Sequence, residues 1–224
     1  MIEIVCATRL SEPEFWNKSA LGWSLRRLKH DTRLVAHVAF ENRRGLPDVF
    51  NARIEAPDGD DTLVFMHDDA WIDDYFLVDR LIDGLERYDV IGVAGNRRRV
   101  QRQPAWAFVD DKFTWDDELN LSGSVAHGTH PFGRVATYGT TPAECELLDG
   151  VCLAAKKSVL VGNDVHFDPR FDFHFYDMDF CRRARQRGLR LGTWPICLTH
   201  QSRGKFGTPQ WIAKYQVYLQ KWET

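Results

Sequence analysis

The sequence predicts one α/β domain with a mixed, mostly parallel central sheet flanked by helices. Short β-rich runs alternate with segments of helical periodicity through about residue 95. Strands that alternate with helices imply parallel neighbours covered on both faces. A chain of 224 residues, 44% hydrophobic and 27% charged, has the length and composition of a single domain with a sizeable core.

"IEIVCA" (2–7) is the first strand. In "SEPEFWNKSALGWSLRRLKH", Ser11 and Glu14 have capping-box spacing and Pro13 suits a first turn, so a helix begins there. "TRLVAHVAF" (32–40) reads as the second strand, and "LPDVFNARIEA" (46–56) as a short amphipathic helix ended by "PDGDD". "TLVFM" (62–66) is the third strand, 73–88 a helix that Asp73 and Asp74 open, and "DVIGVAG" (89–95) the fourth strand. Residues 1–95 thus form one half of the domain, and 96–146 a polar, loop-rich insertion with isolated aromatics. Residues 147–224 form the second half, starting from "ELLDGVCLAAKKSVL" (146–160), a strand followed by a short helix. "YDMDFCRRARQRG" (176–188) is a helix closed by glycine, 189–200 is extended, and 209–222 is the last helix. No repeat or linker divides 1–224.

The net charge of −3 has no polyelectrolyte signature, so nucleic acid is not an expected partner. Five scattered cysteines without CxxC spacing exclude a zinc knuckle and a disulfide framework, and fit a reducing compartment. No signal-peptide pattern and no membrane-length apolar run is visible, so a cytoplasmic location is expected.

In open parallel sheets, ligands bind beyond the carboxyl ends of the strands. At that rim stand Thr8 and Arg9, Glu41 and Asn42, His67, Asp68 and Asp69, then Asp149-Gly150 and His200. Adjacent carboxylates repel unless water or a cation relieves them. Oxygen and imidazole donors together suit Mn²⁺, with Mg²⁺ as the alternative.

The stretch "GLPDVFNARIEAPDGDDTLVFMHDDAWI" resembles the nucleotide-sugar half of a family 2-like glycosyltransferase with a GT-A fold, whose DXD-type motif would be His67-Asp68-Asp69. "ELLDGVCLAAKKSVL" resembles the family's acceptor-side strand, and "FDPRFDFHFYDMDFCRRARQRGLRLGTWPICLTHQSRG" its C-terminal signature. The resemblance covers the chain apart from 97–145 and the tail, and rests on the order and spacing of these motifs. It implies a metal-dependent, inverting transfer of sugar from a nucleotide-diphospho-sugar to a hydroxyl of a glycan or lipid-linked acceptor. Asp69, with Asp68 assisting, and His200 would hold Mn²⁺ or Mg²⁺. Asp177 would be the general base on the acceptor hydroxyl. Thr8, Arg9, Glu41, Asn51, His67, Arg203 and Lys205 would line the donor site; Asp149, Gly150, His174 and Trp106 would line the acceptor site.

Two positions on a helix are about 200° apart, so Asp177 and Asp179 cannot both face one cleft. Asp179 has the spacing to pair with Arg182 or Arg183, which leaves Asp177 for chemistry. The chain departs from the family pattern in three places. Glu41 stands where an aspartate is common, Tyr176 replaces the first acid of the helix-opening pair, and histidine opens the DXD-type motif. "NRRRVQR" (96–102) is either a solvated basic turn or a contact for an anionic acceptor. Trp106 and Trp115 either stack on sugar rings or anchor the insertion. The stripe Trp211, Tyr215, Tyr218 and Trp222 suits docking on the domain or on a partner subunit, a homo-oligomer contact. Peripheral membrane contact is the weaker use, because the helix has few basic residues. Two other readings stand beside the leading one. A sugar nucleotidyltransferase or pyrophosphorylase would need a glycine-rich loop after the first strand, and "CATRLSEPEF" has no glycine. A non-catalytic carbohydrate-binding relative would have no turnover.

Overall fold

The computed structural model describes residues 1–58, 61–202 and 204–222. The elements follow the expected alternation through the first half. Strand β1 (Ile2–Ala7) is followed by helices α1 (Glu12–Lys18) and α2 (Ala20–Arg27), strand β2 (Leu34–Ala39), helix α3 (Leu46–Glu55) and strand β3 (Thr62–Met66). Next come β4 (Ala70–Ile72), α4 (Leu77–Arg87), β5 (Val90–Gly92) and β6 (Ala94–Asn96). The insertion holds β7 (Leu121–His127), β8 (Arg134–Gly139) and β9 (Ala143–Cys145). The last part runs β10 (Leu147–Leu148), β11 (Cys152–Lys156), α5 (Lys157–Gly162), α6 (Tyr176–Gln186), β12 (Leu191–Thr193), β13 (Leu198–His200) and α7 (Pro209–Trp222).

The main sheet has the order β2-β1-β3-β11-β5-β12-β9. β1 pairs in parallel with both β2 and β3, and β12 with β5. β11 lies antiparallel between β3 and β5, and β9 antiparallel on β12. The sheet is therefore mixed, with a strand from the second half wedged into the first. A second sheet runs β10-β6-β7-β13-β4, with β8 paired to β7. Beneath the main sheet, Phe50, Phe65, Phe167 and Phe180 form a buried aromatic column, with Phe167 and Phe180 stacked at 4.2 Å. Among the described residues no helix is long and apolar enough to cross a membrane.

Several local expectations change. The segment after Ser11 does begin as a helix, with the Glu14 carboxylate accepting from the Ser11 backbone N–H and hydroxyl. It is interrupted at Ser19, whose hydroxyl donates to the Phe15 carbonyl and accepts from Gly22 N–H, so a second helix starts there. The fourth strand is two strands, because the chain switches sheets at Val93. Most of 96–146 is loop, but the stretch from Leu121 to Gly139 is not: there β7 and β8 form an antiparallel hairpin with a register shift at Gly123/Ser124. Asp73 does not open a helix. It accepts from the Thr199 hydroxyl at 2.6 Å and the Phe132 N–H at 3.0 Å, tying β4 to β13 and the hairpin tip. Asp74 accepts from Phe76 N–H just ahead of α4. Gly188, at φ +81°, ends α6 as expected.

The aromatic stripe of α7 is spent within the chain. Trp211, Tyr215 and Tyr218 are buried against Phe175, with ring centroids 5.0–5.5 Å apart. Asp179 is fully buried and does not pair with Arg182 or Arg183. It accepts from Trp222 Nε1 at 2.7 Å and lies 2.6 Å from Lys221 Nζ, which fastens α7 to α6. Arg182 instead donates to the Tyr218 hydroxyl and the Trp222 carbonyl, and Arg183 pairs with Asp164. All five cysteines are free, and only Cys197 is exposed.

Candidate active site

The pairing of β13 explains how the two ends of the chain meet. β13 runs antiparallel to β4 with His200 opposite Ala70, and Gln201 N–H donates to the Asp69 carbonyl. That register brings His200 beside Asp69, although 131 residues separate them. His200 Nε2 donates to Asp69 Oδ1 at 3.1 Å, and His67 Nδ1 lies 3.9 Å from the same oxygen. One ligand atom from each of His67, Asp69 and His200 falls within 4.8 Å of the others. Separations of 3.1 and 3.9 Å are both open to two ligands bound to one ion at about 2.1 Å. Two imidazoles and a carboxylate fit a divalent ion such as Mn²⁺.

The electrostatics suit such a site. Burial pushes the Asp69 carboxyl up, but the hydrogen bond and charge of His200 outweigh burial and hold it at about 2, so it stays anionic. Burial, with the His200 charge, lowers His67 and keeps it neutral. Burial also lowers His200, but the Asp69 carboxylate overrides it and raises that imidazole. Asp68 lies outside the cluster. Its carboxylate accepts from the Thr8 hydroxyl at 2.6 Å, and burial raises its pKa in spite of that bond.

Asp149 and Asp177 line a cavity of about 620 Å³ that His67, His200, Gly150 and Tyr176 also line. Asp177 is in the first turn of α6, where its Oδ1 accepts from Met178 N–H at 2.8 Å and its Oδ2 from Gly150 N–H at 3.2 Å. Burial, then the nearby Asp149 charge, outweigh these bonds and raise it to about 7. A carboxylate with that pKa exchanges protons near neutrality. Asp149 accepts from Val151 N–H and from Trp106 Nε1, the latter at 2.7 Å. Trp106 thus anchors the insertion while its ring lines the cavity. Tyr138 packs edge-on against Trp106 at 5.0 Å and Trp115 stacks on Tyr138 at 5.9 Å and 15°; His174, Lys205 and Phe206 also line the cavity.

Other expected site residues sit elsewhere. Asn51 is committed to structure. Its amide donates to the Phe167 carbonyl at 2.7 Å and accepts from Phe167 N–H at 2.9 Å, which clamps the chain before α6 onto α3. Arg9 is exposed after β1, and Glu41 holds a left-handed turn at φ +49° beyond β2. Arg203 lies outside the described residues. Arg98, from the basic stretch, is spent on the buried Asp116 at 2.5 Å. The residue that sequence reading passed over is Tyr176. Its hydroxyl donates to the Gly150 carbonyl at 2.8 Å and meets His67 Nε2 at 2.7 Å. The only trace in the sequence was that it stood where an acid was expected.

No protein-family model matches the sequence. No curated protein shows significant similarity to it either. Solved structures do resemble the fold. The chain superposes on TarS of S. aureus with a TM-score of 0.51 at 12% identity, covering 97% of this chain and 38% of that one. Residues 1–349 of the same protein give 0.50 at 11% identity, covering 97% and 64%. A Drosophila β1,4-galactosyltransferase 7 variant, in complex with manganese, UDP-Gal and xylobiose, gives 0.50 at 10% identity, covering 86% and 64%. The chain spans less than two thirds of each of these chains. What they share with it is the fold: a mixed α/β domain of the GT-A type found in glycosyltransferases.

Proposed function

We propose that the chain is a metal-dependent, inverting glycosyltransferase that moves a sugar from a nucleotide-diphospho-sugar to a hydroxyl of a glycan or lipid-linked acceptor. The observation that carries this reading is that one cavity is lined both by His67 and His200, which meet at Asp69, and by Asp177 raised to about 7. The galactosyltransferase 7 complex, of the same fold, contains manganese, a nucleotide-sugar and a disaccharide. A divalent ion, Mn²⁺ or Mg²⁺, bound by the cluster would supply Lewis-acid stabilisation of charge on the departing nucleoside diphosphate.

The chain's own groups do the rest. Thr8 orients Asp68 at the end of β1, on the side where Arg9 and Glu41 face a nucleotide. Lys205, on the cavity wall, meets the diphosphate. Trp106, with Tyr138 against it and Trp115 stacked on Tyr138, offers aromatic faces to the apolar C–H surface of an acceptor sugar. Asp149, Gly150 and His174 border that acceptor space. Asp177, in its deprotonated form, takes the proton of the attacking hydroxyl. Direct attack on the anomeric carbon inverts its configuration.

A thermal-shift screen of nucleoside diphosphates with and without Mn²⁺ tests the reading. A rise in melting temperature that needs both one nucleotide and the metal is expected, since ligands that bind the folded state stabilise it by mass action. Melting curves that no nucleotide moves, with or without Mn²⁺, would overturn it.

A further inference from the structure

The Tyr176 hydroxyl stands between the Gly150 carbonyl at 2.8 Å and His67 Nε2 at 2.7 Å. A carbonyl oxygen only accepts, so the single phenolic proton goes to Gly150. The phenolic oxygen then accepts, and the proton it accepts is the one on His67 Nε2. A neutral imidazole has one N–H, so His67 Nδ1 carries a lone pair. The other tautomer fails on two counts. The Tyr176 proton would turn to Nε2 and leave the Gly150 carbonyl without a donor. The Nδ1–H would point at Asp69 Oδ1 across 3.9 Å, too far for a hydrogen bond.

We infer that Tyr176 is a positioning residue: it fixes His67 as the Nε2–H tautomer and so presents Nδ1 as a metal ligand toward Asp69 and His200. The inference rests on the proposed metal site. It gives a physical use to a phenol where an acid was expected. A carboxylate at Tyr176 would accept from His67 Nε2 but could not donate to Gly150. The close approach is also built into the backbone. A Cβ on Gly150 would lie 2.3 Å from the Tyr176 hydroxyl oxygen, so only glycine leaves room for the bridge. Groups that orient a ligating histidine through its other ring nitrogen tune metal affinity by roughly 10–100-fold.

Two measurements on the full chain test this. In the metal-free protein, ¹⁵N NMR of the His67 ring should show a protonated Nε2 and a bare Nδ1, and Tyr176→Phe should abolish that preference. In Mn²⁺ titrations followed by electron paramagnetic resonance of the free ion, Tyr176→Phe should bind roughly tenfold more weakly. His67→Asn, whose amide oxygen falls near the Nδ1 position, should retain more affinity than His67→Gln. A protonated Nδ1 in the wild-type protein overturns the inference, as does equal Mn²⁺ affinity of the wild type and Tyr176→Phe. If the wild type binds no Mn²⁺, the metal site itself fails, while the NMR readout still decides what Tyr176 does to His67.

Discussion

Asp177 is raised to about 7 by burial and by Asp149, and two opposite effects follow from that one shift. In the proposed reaction its deprotonated form is the base, so transfer should rise with pH through about 7 and level off above it. Stability runs the other way. The folded state keeps this proton up to about 7, whereas the unfolded chain sheds it near an ordinary carboxylate pKa of about 3.9. The group's contribution is complete below the lower value and lost as pH climbs through the upper one. Asp177→Asn should therefore abolish transfer and melt at a higher temperature than wild type above neutrality, but not below about pH 4. A pH–rate profile and melting curves of the two proteins check both halves. Gly150→Ala would push a methyl group into the Tyr176 hydroxyl and the Asp177 side chain. It should lower turnover more than it lowers stability, as read by kcat beside the urea midpoint.

At the level of elements, two clamps hold α6, which carries Asp177, in place. Asn51 joins α3 to the segment before α6 through both backbone groups of Phe167. Asn51→Ala leaves that donor and acceptor unpaired at about 1–3 kcal/mol each. Its unfolding free energy should fall by about 2–6 kcal/mol, with nucleotide affinity unchanged. A nucleotide-binding asparagine would show the reverse. On the other side, Asp179 is buried with one oxygen lacking a hydrogen-bond partner among the described residues, and Lys221 is its counter-charge. Lys221→Ala strands that carboxylate, whereas Asp179→Asn removes the charge and keeps an acceptor for Trp222. The lysine variant should be the less stable by about 2 kcal/mol in urea titration. These elements differ in how far the sequence announced them. α6 was legible because a run of helix formers ends in glycine, and β3 because five β-rich residues stand between turns. The β7–β8 hairpin was not, since "RVATYG" is largely exposed and has no apolar face for alternation to mark. Asp179 was expected to pair within its own helix. Only the docking of α7, a tertiary event, supplies Lys221 and Trp222.

Across the whole molecule, the site depends on the second half of the chain returning into the first. Asp69 and His200 could each be named from their place at a strand end, but their meeting depends on the β13–β4 register. His67 joined them by geometry that spacing did not reveal, whereas Asp68 turned toward Thr8. A bound ion would cross-link the two halves, so Mn²⁺ alone should raise the melting temperature and a chelator should reverse the gain. The proton on His200, held above its ordinary value by Asp69, competes with the metal. The gain should thus be larger at about pH 8 than at about pH 6. The same wiring has a consequence for biosynthesis. A growing chain carries Asp69 for 131 residues before His200 exists. At ordinary translation speeds of about 5–20 residues per second, that delay is about 7–26 s. Over that interval the nascent chain carries only His67 and Asp69 of the proposed ligand set. A metal at the proposed site would therefore be chosen by the finished fold and the ions around it, not by those near the ribosome.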